Sequence, residues 1–433
     1  MSHYFNNPVL FINAVKRLDI GAVKVPLALS FLNQMVSGGG NFLLGIYLAR
    51  TLPLNEFGLY GLDFGICMLY VGMGNALILT QMMVNIPDKT AEEATAYAIN
   101  MFHAVLLLDL SLLVISVFTY ILATMFAPHL LTYMPQVFAI AVAAALFLCN
   151  EFLICYAYLR RKENLALMIN LVTISVLFCG LLVEHILKIG LTAENALLLY
   201  ALGATVASVM AYHVSPLQLG RNMREFLPGL RQSWHHGRWA LGGVGLTWLQ
   251  SQTYTYVLAF FVGSTGIGQA NAARIFTSPF SFILTAINKI AIPRLVYLRR
   301  SNRNRMYLIS MLLTVGLSTL TIIYSLILLN SLEFASKLIL GRNDPVIMSL
   351  VWAWCLVLIL QMIRSCGSIL LQVQRKFRVL MLINIPSAMV TIGIAVLMMQ
   401  RFGVIGAIVG MLAGEVVLTL LIWREIQRGR IDA

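Results

Sequence analysis

Twelve predominantly apolar runs follow one another along the chain, at residues 25–50, 57–84, 96–126, 134–159, 164–187, 192–215, 239–263, 267–293, 306–331, 346–371, 377–400 and 402–423. A hydrocarbon core of about 30 Å takes about 20 helical residues to cross, so each run is long enough to span a bilayer. The runs are unbroken rather than alternating, which excludes a strand-type barrel. Apolar residues make up 60% of the chain and charged residues only 11%, too few polar groups to coat a water-soluble fold. The sequence therefore predicts an all-α polytopic membrane protein of about twelve transmembrane helices.

The basic residues set its orientation. With the N-terminus placed in the cytoplasm, 22 Lys and Arg fall on the inner side and 5 on the outer side (Arg50, Lys188, Lys337, Arg342, Arg401), and three remain inside spans. Such a bias marks the cytoplasmic face, and removing any one span would scramble it. Both termini are therefore expected in the cytoplasm. The net charge of +13 is spread over short clusters between spans, so it does not point to nucleic acid. The N-terminus is polar and the first long apolar run begins near Val25, which gives no sign of a cleavable leader.

The longest polar connection, residues 216–238, divides the spans into six and six. The expected organisation is an N-terminal segment at 1–24, an N-lobe at 25–215, a linker at 216–238, a C-lobe at 239–423 and a tail at 424–433. The linker mixes Leu, Phe and Trp with Arg, which fits either a helix on the cytoplasmic leaflet or a solvated loop. The segment around 5–20 is a second candidate surface helix. All outer loops are short, leaving no outer domain for chemistry on lipid-linked sugars. The six cysteines lie within apolar runs and read as small packing residues.

Charged groups inside spans are costly and normally face a cavity or a partner. Here their signs are segregated. Asp63, Asp109 and Glu151 lie in the first half, with His103 nearby; Arg274, Lys289 and Arg364 lie in the second, where Glu415 is the exception. On one straight helix Arg274 and Lys289 would stand about 60° and roughly 22 Å apart, on one face. Pro279 between them permits a bend. Arg364 falls at about the depth of Lys289. The three form a basic track suited to an anion, above all a phosphate, which Arg binds in a bidentate way. The alternatives are snorkelling of Lys289 and Arg364 to the inner headgroups, and a salt bridge from Arg274 to Asp63.

The acids Asp63, Asp109, Glu151 and Glu415 are candidates for binding a coupling proton or sodium ion, with structural pairing to the bases across the halves as the alternative. The first span carries Asn33, Gln34, Ser37 and Asn41 around Gly38, Gly39 and Gly40, a hinge or a packing surface. Trp248, Gln250, Gln252, Tyr254 and Tyr256 in the seventh do not share one helical face, so only some can line a cavity. Among these polar groups Trp248, Gln252 and Asn41 are taken as sugar-contacting candidates. No phosphate loop, HExxH, GxSxG or cytoplasmic DxD motif is present, so neither catalytic residues nor a metal or cofactor are expected.

Residues 49–62, ARTLPLNEFGLYGL, resemble the AR-x-L-x-x-x-x-[FY]-G-x-[YF] signature in the first loop of Wzx-type polysaccharide flippases, which export O-antigen or exopolysaccharide repeat units and belong to the MATE-like MOP superfamily. Residues 256–280, YVLAFFVGSTGIGQANAARIFTSPF, and 289–295, KIAIPRL, resemble the corresponding region of the second half, although Gln269 and Ala270 replace its usual aromatic neighbourhood and the frequent Asp of the seventh span is absent. The resemblance implies a MOP/MATE-like fold of two six-helix lobes in the bacterial inner membrane. It implies transport of an undecaprenyl-diphosphate-linked oligosaccharide to the outer leaflet by alternating access, driven by a proton or sodium gradient. Expected partners are that glycolipid, the coupling ion, membrane lipids, and a polysaccharide polymerase with its chain-length regulator. By position Arg274 matches the family's cavity arginines. Lipid II flippases of the superfamily usually have fourteen spans and fit less well. A MATE-type cation antiporter is the second expectation and a membrane glycosyltransferase the third.

Overall fold

A computed structural model describes residues 20–86, 89–214, 241–242, 244–245, 248, 250–374 and 376–431, without the side chains of 20–27, Ala91, Phe377, 429–431 and eleven scattered positions between 281 and 300. The linker at 216–238 lies wholly outside these residues, as does the segment around 5–20 but for Ile20, so both expected surface helices fall outside the described residues. The described residues are helical throughout, with no strand.

The first half comprises α1 (Ile20–Thr51), α2 (Leu54–Gly74), α3 (Ala91–Phe126), α4 (Met134–Leu159), α5 (Glu163–Leu187) and α6 (Ala193–Val214). A π-helical turn, Asn75–Leu79, and a short helix, Thr80–Asn85, extend α2. The second half comprises α7 (residues 250–261), α8 (Ser264–Ile275), α9 (Pro279–Ser301), α10 (Arg303–Asn330), α11 (Leu332–Leu340), α12 (Pro345–Val373), α13 (Phe377–Phe402) and α14 (Val404–Ile431). Each of the twelve expected runs thus carries helix. Among the described residues, nine helices are long and apolar enough to cross a membrane. The polar α1 and the broken pair α8–α9 fall outside that nine, and both border the cavity described below.

Local chemistry accounts for the ends. Thr90 and Glu93 form a reciprocal capping box at the start of α3. Asp344 accepts from the amides of Val346 and Ile347 at the start of α12, where Pro345 supplies a preset φ. Gly263, with φ 82°, makes the reversal between α7 and α8 that a side chain would strain.

Large apolar side chains cover the outside of the bundle. Leu110, Val114, Ile115 and Phe118 on α3 and Leu312, Val315, Leu326 and Ile327 on α10 are exposed, as lipid-facing residues must be. Inside the first half, polar groups pair across helices: Asn170 donates to Asn33 (2.8 Å) and Asn33 to the Tyr158 hydroxyl (2.7 Å). In the second half, small residues join α13 to α14. A Cβ added at Gly410 would come within 2.5 Å of the Ala395 backbone, and one at Gly406 would meet the Met398 carbonyl. Such close backbone approach stabilises helix pairs in a lipid solvent.

The three consecutive glycines lie within an unbroken α1, and of them Gly40 is a packing position: a Cβ there would press on Ile174 of α5, whereas one on Gly39 would meet nothing within 4 Å. All six cysteines are free thiols, four of them buried.

Candidate functional site: a cationic cavity between the two halves

The halves meet through α2 and α8, and the contact is two-fold symmetric. Gly58 and Gly268 are each the fifth residue of their helix. A Cβ on Gly58 would run into the carbonyl oxygen of Ser264, the first residue of α8; one on Gly268 would run into that of Leu54, the first residue of α2. The backbones therefore touch, and only glycine fits at either place. At the same end Arg342, in the turn before α12, donates to the Ala49 carbonyl in the last turn of α1 (2.9 Å), satisfying a helix C-terminus across the halves.

Directly beneath this crossing lies a cavity of about 290 Å³. On the first-half side its wall is mostly apolar or glycine, including Leu44, Gly45, Gly61, Phe64 and Gly65, with Asn41 and Tyr60 as the polar members. The second half supplies Trp248, Gln252, Tyr254, Thr255, Asn271, Arg274 and Ser278. The two walls occupy equivalent places in the paired helices, since Phe64 and Arg274 are each the eleventh residue of theirs. Four of the six expected substrate-contacting residues, Asn41, Trp248, Gln252 and Arg274, are thus brought together.

Arg274 is the cavity's formal charge. Its Nη1 donates to the Tyr254 hydroxyl (2.9 Å), which in turn donates to Asn271 Oδ1 (2.8 Å). The guanidinium lies over the rings of Tyr254 (5.7 Å) and Trp354 (5.5 Å), within cation–π range. Trp354 is itself fixed by an indole hydrogen bond to the Ala270 carbonyl and an edge contact with Tyr254. Among the described residues no carboxylate pairs with Arg274 and none lines the cavity. A fixed, half-exposed guanidinium walled by amides, hydroxyls and aromatic rings is chemistry for an oxyanion attached to a polar body.

Several expectations need correction. Arg274 does not bridge to Asp63, whose Oδ1 accepts from Gln136 of α4 (2.8 Å) and which is buried away from the cavity. The eighth span is not one helix, so the spacing drawn for a straight one does not hold. The ladder breaks at 276–278 because Pro279 has no N–H for the Ile275 carbonyl, which accepts from Ser278 instead. The Arg274 carbonyl takes the Thr277 amide and hydroxyl and the Ser278 hydroxyl. Arg364 does not line the cavity. Its Nε meets Glu415 Oε2 at 2.7 Å, and Gln361 donates to the other oxygen (3.3 Å), so Arg364 and Glu415 are partners between α12 and α14. The side chain of Lys289 lies outside the described ones.

Among the described side chains the acids also do not pair with bases across the halves. Asp109 accepts from Tyr70 (2.8 Å) and the Cys149 thiol (3.2 Å), tying α3 to α2 and α4. Glu151 has no hydrogen bond or ion pair among the described residues. It stands near Tyr200, whose hydroxyl meets Asn41 of the cavity wall. Asn271, Trp354, Tyr60 and the glycine crossing escaped the sequence reading. Their signal was the matching spacing of 54–65 and 264–275, which shows only once the two helices are seen to be paired.

No family model matches the sequence, and no curated protein matches it. Solved structures do. A lipid II flippase, MurJ, in an inward closed conformation superposes with a TM-score of 0.73 at 10% identity, over 93% of this chain and 87% of that one. An inward-facing multidrug-resistance MATE family transporter of the MOP superfamily gives 0.68 at 15% identity, over 92% and 95%. An outward-facing one gives 0.56 at 14%, over 94% and 95%. The chain has the fold of the MOP superfamily.

Proposed function

We propose that the protein moves a polyprenyl-diphosphate-linked oligosaccharide from the cytoplasmic to the outer leaflet of a bacterial inner membrane, as the Wzx-type resemblance implies. One observation carries the reading: Arg274, with no carboxylate partner among the described residues, faces a cavity between the halves, among amides, hydroxyls and aromatic rings. A diphosphate needs such a cation, and the sugars beyond it need hydrogen-bonding and stacking groups.

The charge bias of the loops puts both termini in the cytoplasm and the glycine crossing at the outer side. The structure then corresponds to a state closed outward, and transport requires the crossing to part while the inner ends close. Of the four intramembrane acids, Glu151 best suits the coupling proton or sodium ion, because it has no partner among the described residues, whereas Asp109 and Glu415 are held by fixed partners and Asp63 by Gln136 through one oxygen. The MOP fold also serves cation antiporters, but a cavity whose described wall holds one cation and no anion repels cationic cargo. A polymerase and chain-length regulator would take up the delivered glycan.

The test is translocation in proteoliposomes of a labelled polyprenyl-diphosphate oligosaccharide under an imposed proton or sodium gradient. The expected result is protein-dependent transfer that Arg274→Ala abolishes while the variant reconstitutes normally. Transfer by Arg274→Ala at the wild-type rate would overturn the site assignment.

A further inference from the structure

We infer that Asn271 sets the sign of charge that the cavity accepts, by keeping the far end of the Tyr254–Arg274 chain neutral; this rests on the proposed anionic cargo. The hydrogen-bond directions follow from chemistry. Arg has only donors, so the Tyr254 oxygen accepts from Nη1 and its single proton must go elsewhere. It goes to residue 271, which must therefore present an acceptor, and Asn271 Oδ1 does so at 2.8 Å. The amide is thereby oriented, with Nδ2 turned toward α2. There it occupies the space that Gly61 leaves: a Cβ on Gly61 would overlap Nδ2. Residue 271 is thus fixed from both sides, by Tyr254 and by the α2 backbone.

The side chain that would satisfy the same geometry with a different charge is aspartate. It is isosteric and would accept the same Tyr254 proton, but it would place a full negative charge one phenol away from the guanidinium. In a site walled by Phe64, Tyr60 and Ile275 that charge would be weakly screened and would cancel the attraction Arg274 offers. With the amide, the guanidinium stays uncompensated. Nη1 is tied to Tyr254 and the rings of Tyr254 and Trp354 lie against the guanidinium, so the Nε–Nη2 edge remains as the fork for two oxygens of a phosphoryl group. Asn271 is accordingly a specificity residue, oriented by Tyr254 and acting on Arg274 through its lack of charge, and it need not touch the ligand.

The experiment measures binding of farnesyl diphosphate, and of a lipophilic cation, to the purified full chain in detergent. Wild type is compared with Asn271→Asp, Asn271→Ser, Arg274→Ala and the double variant Asn271→Asp/Tyr254→Phe. Asn271→Asp is expected to bind the diphosphate about tenfold or more weakly, and Asn271→Ser, neutral but differently shaped, within about threefold of wild type. In the double variant the loss is expected to persist, because the carboxylate's charge acts on the guanidinium without the hydroxyl between them; recovery of wild-type binding there would overturn the charge argument. If Asn271→Asp does not accumulate folded, Asn271→Ser decides alone: a loss as deep as that of Arg274→Ala would make residue 271 a packing position and overturn the inference. Wild-type binding of the diphosphate with Asn271→Asp unchanged would overturn it too, leaving the proposed function intact. No saturable diphosphate binding by the wild type would instead strike the proposed function itself.

Discussion

Gly58 and Gly268 stand at the same place in α2 and α8, and each faces the carbonyl oxygen of the first residue of the other's helix. This single crossing closes one end of the cavity and positions Arg274 beneath it, so the opening of that end and the chemistry of the cavity depend on the same pair of helices.

A side chain at either glycine should therefore hold the halves apart. Gly268→Ala places a methyl against backbone, which cannot yield as a side-chain tip would, and overpacking of this kind costs about 1–3 kcal/mol. The expected outcome is a shift of the population toward the outward-open form, read as greater labelling of a cysteine introduced at Phe57 by a membrane-impermeant thiol reagent. Unchanged labelling would show that the crossing does not control the outer end.

At Arg274 the guanidinium's shape matters as well as its charge. Lysine offers no fork to match two phosphoryl oxygens and cannot lie flat on Tyr254 and Trp354. Arg274→Lys should lose roughly one to two powers of ten in affinity for a polyprenyl diphosphate, about 1.4–2.8 kcal/mol. Isothermal titration checks it; wild-type affinity in the lysine variant would show that charge alone suffices.

Arg364 and Glu415 should behave as one unit. Removing one partner of a buried pair costs about 3–5 kcal/mol because the other charge is left uncompensated, whereas replacing both is often tolerated. Since the Arg364 side chain is partly exposed, the smaller end of that range applies to Glu415→Gln. The single variants Arg364→Met and Glu415→Gln should lower the unfolding temperature more than the double variant does. Additive losses in thermal unfolding would contradict the pairing.

Glu151 should separate coupling from binding. Glu151→Gln keeps shape and removes the ionisable group, so farnesyl diphosphate binding should stay near the wild-type value while gradient-driven transfer falls at least about tenfold, the scale of a lost charge-assisted contact. Proteoliposome transfer with and without an imposed gradient measures it. Full gradient dependence in the variant would reassign coupling to another acid.

The spans were legible because apolar length and the placement of Lys and Arg follow directly from the lipid solvent. Arg274 stood out for the converse reason, as a charge inside a span, which must face a cavity or a partner, and it is found at the cavity wall. What the sequence could not carry was pairing. Lys289 was grouped with Arg274 by helical face and Arg364 with Lys289 by depth, but neither says what the facing helix carries, and α14 supplies Glu415 to Arg364. Tyr254 and Asn271 look ordinary in the sequence; their role exists only because α7 and α8 set both beside Arg274. The glycine crossing depends on two segments remote in sequence that are equivalent by position more than by residue identity.

The most direct measurement is thermal stabilisation of the purified protein by a polyprenyl diphosphate and, separately, by lipophilic cations, with Arg274→Ala beside the wild type. The account predicts stabilisation by the diphosphate lipid that is lost in the variant, and none by the cations. Stabilisation by cations alone, equal in both proteins, would contradict an anionic cargo and make Arg274 a structural residue.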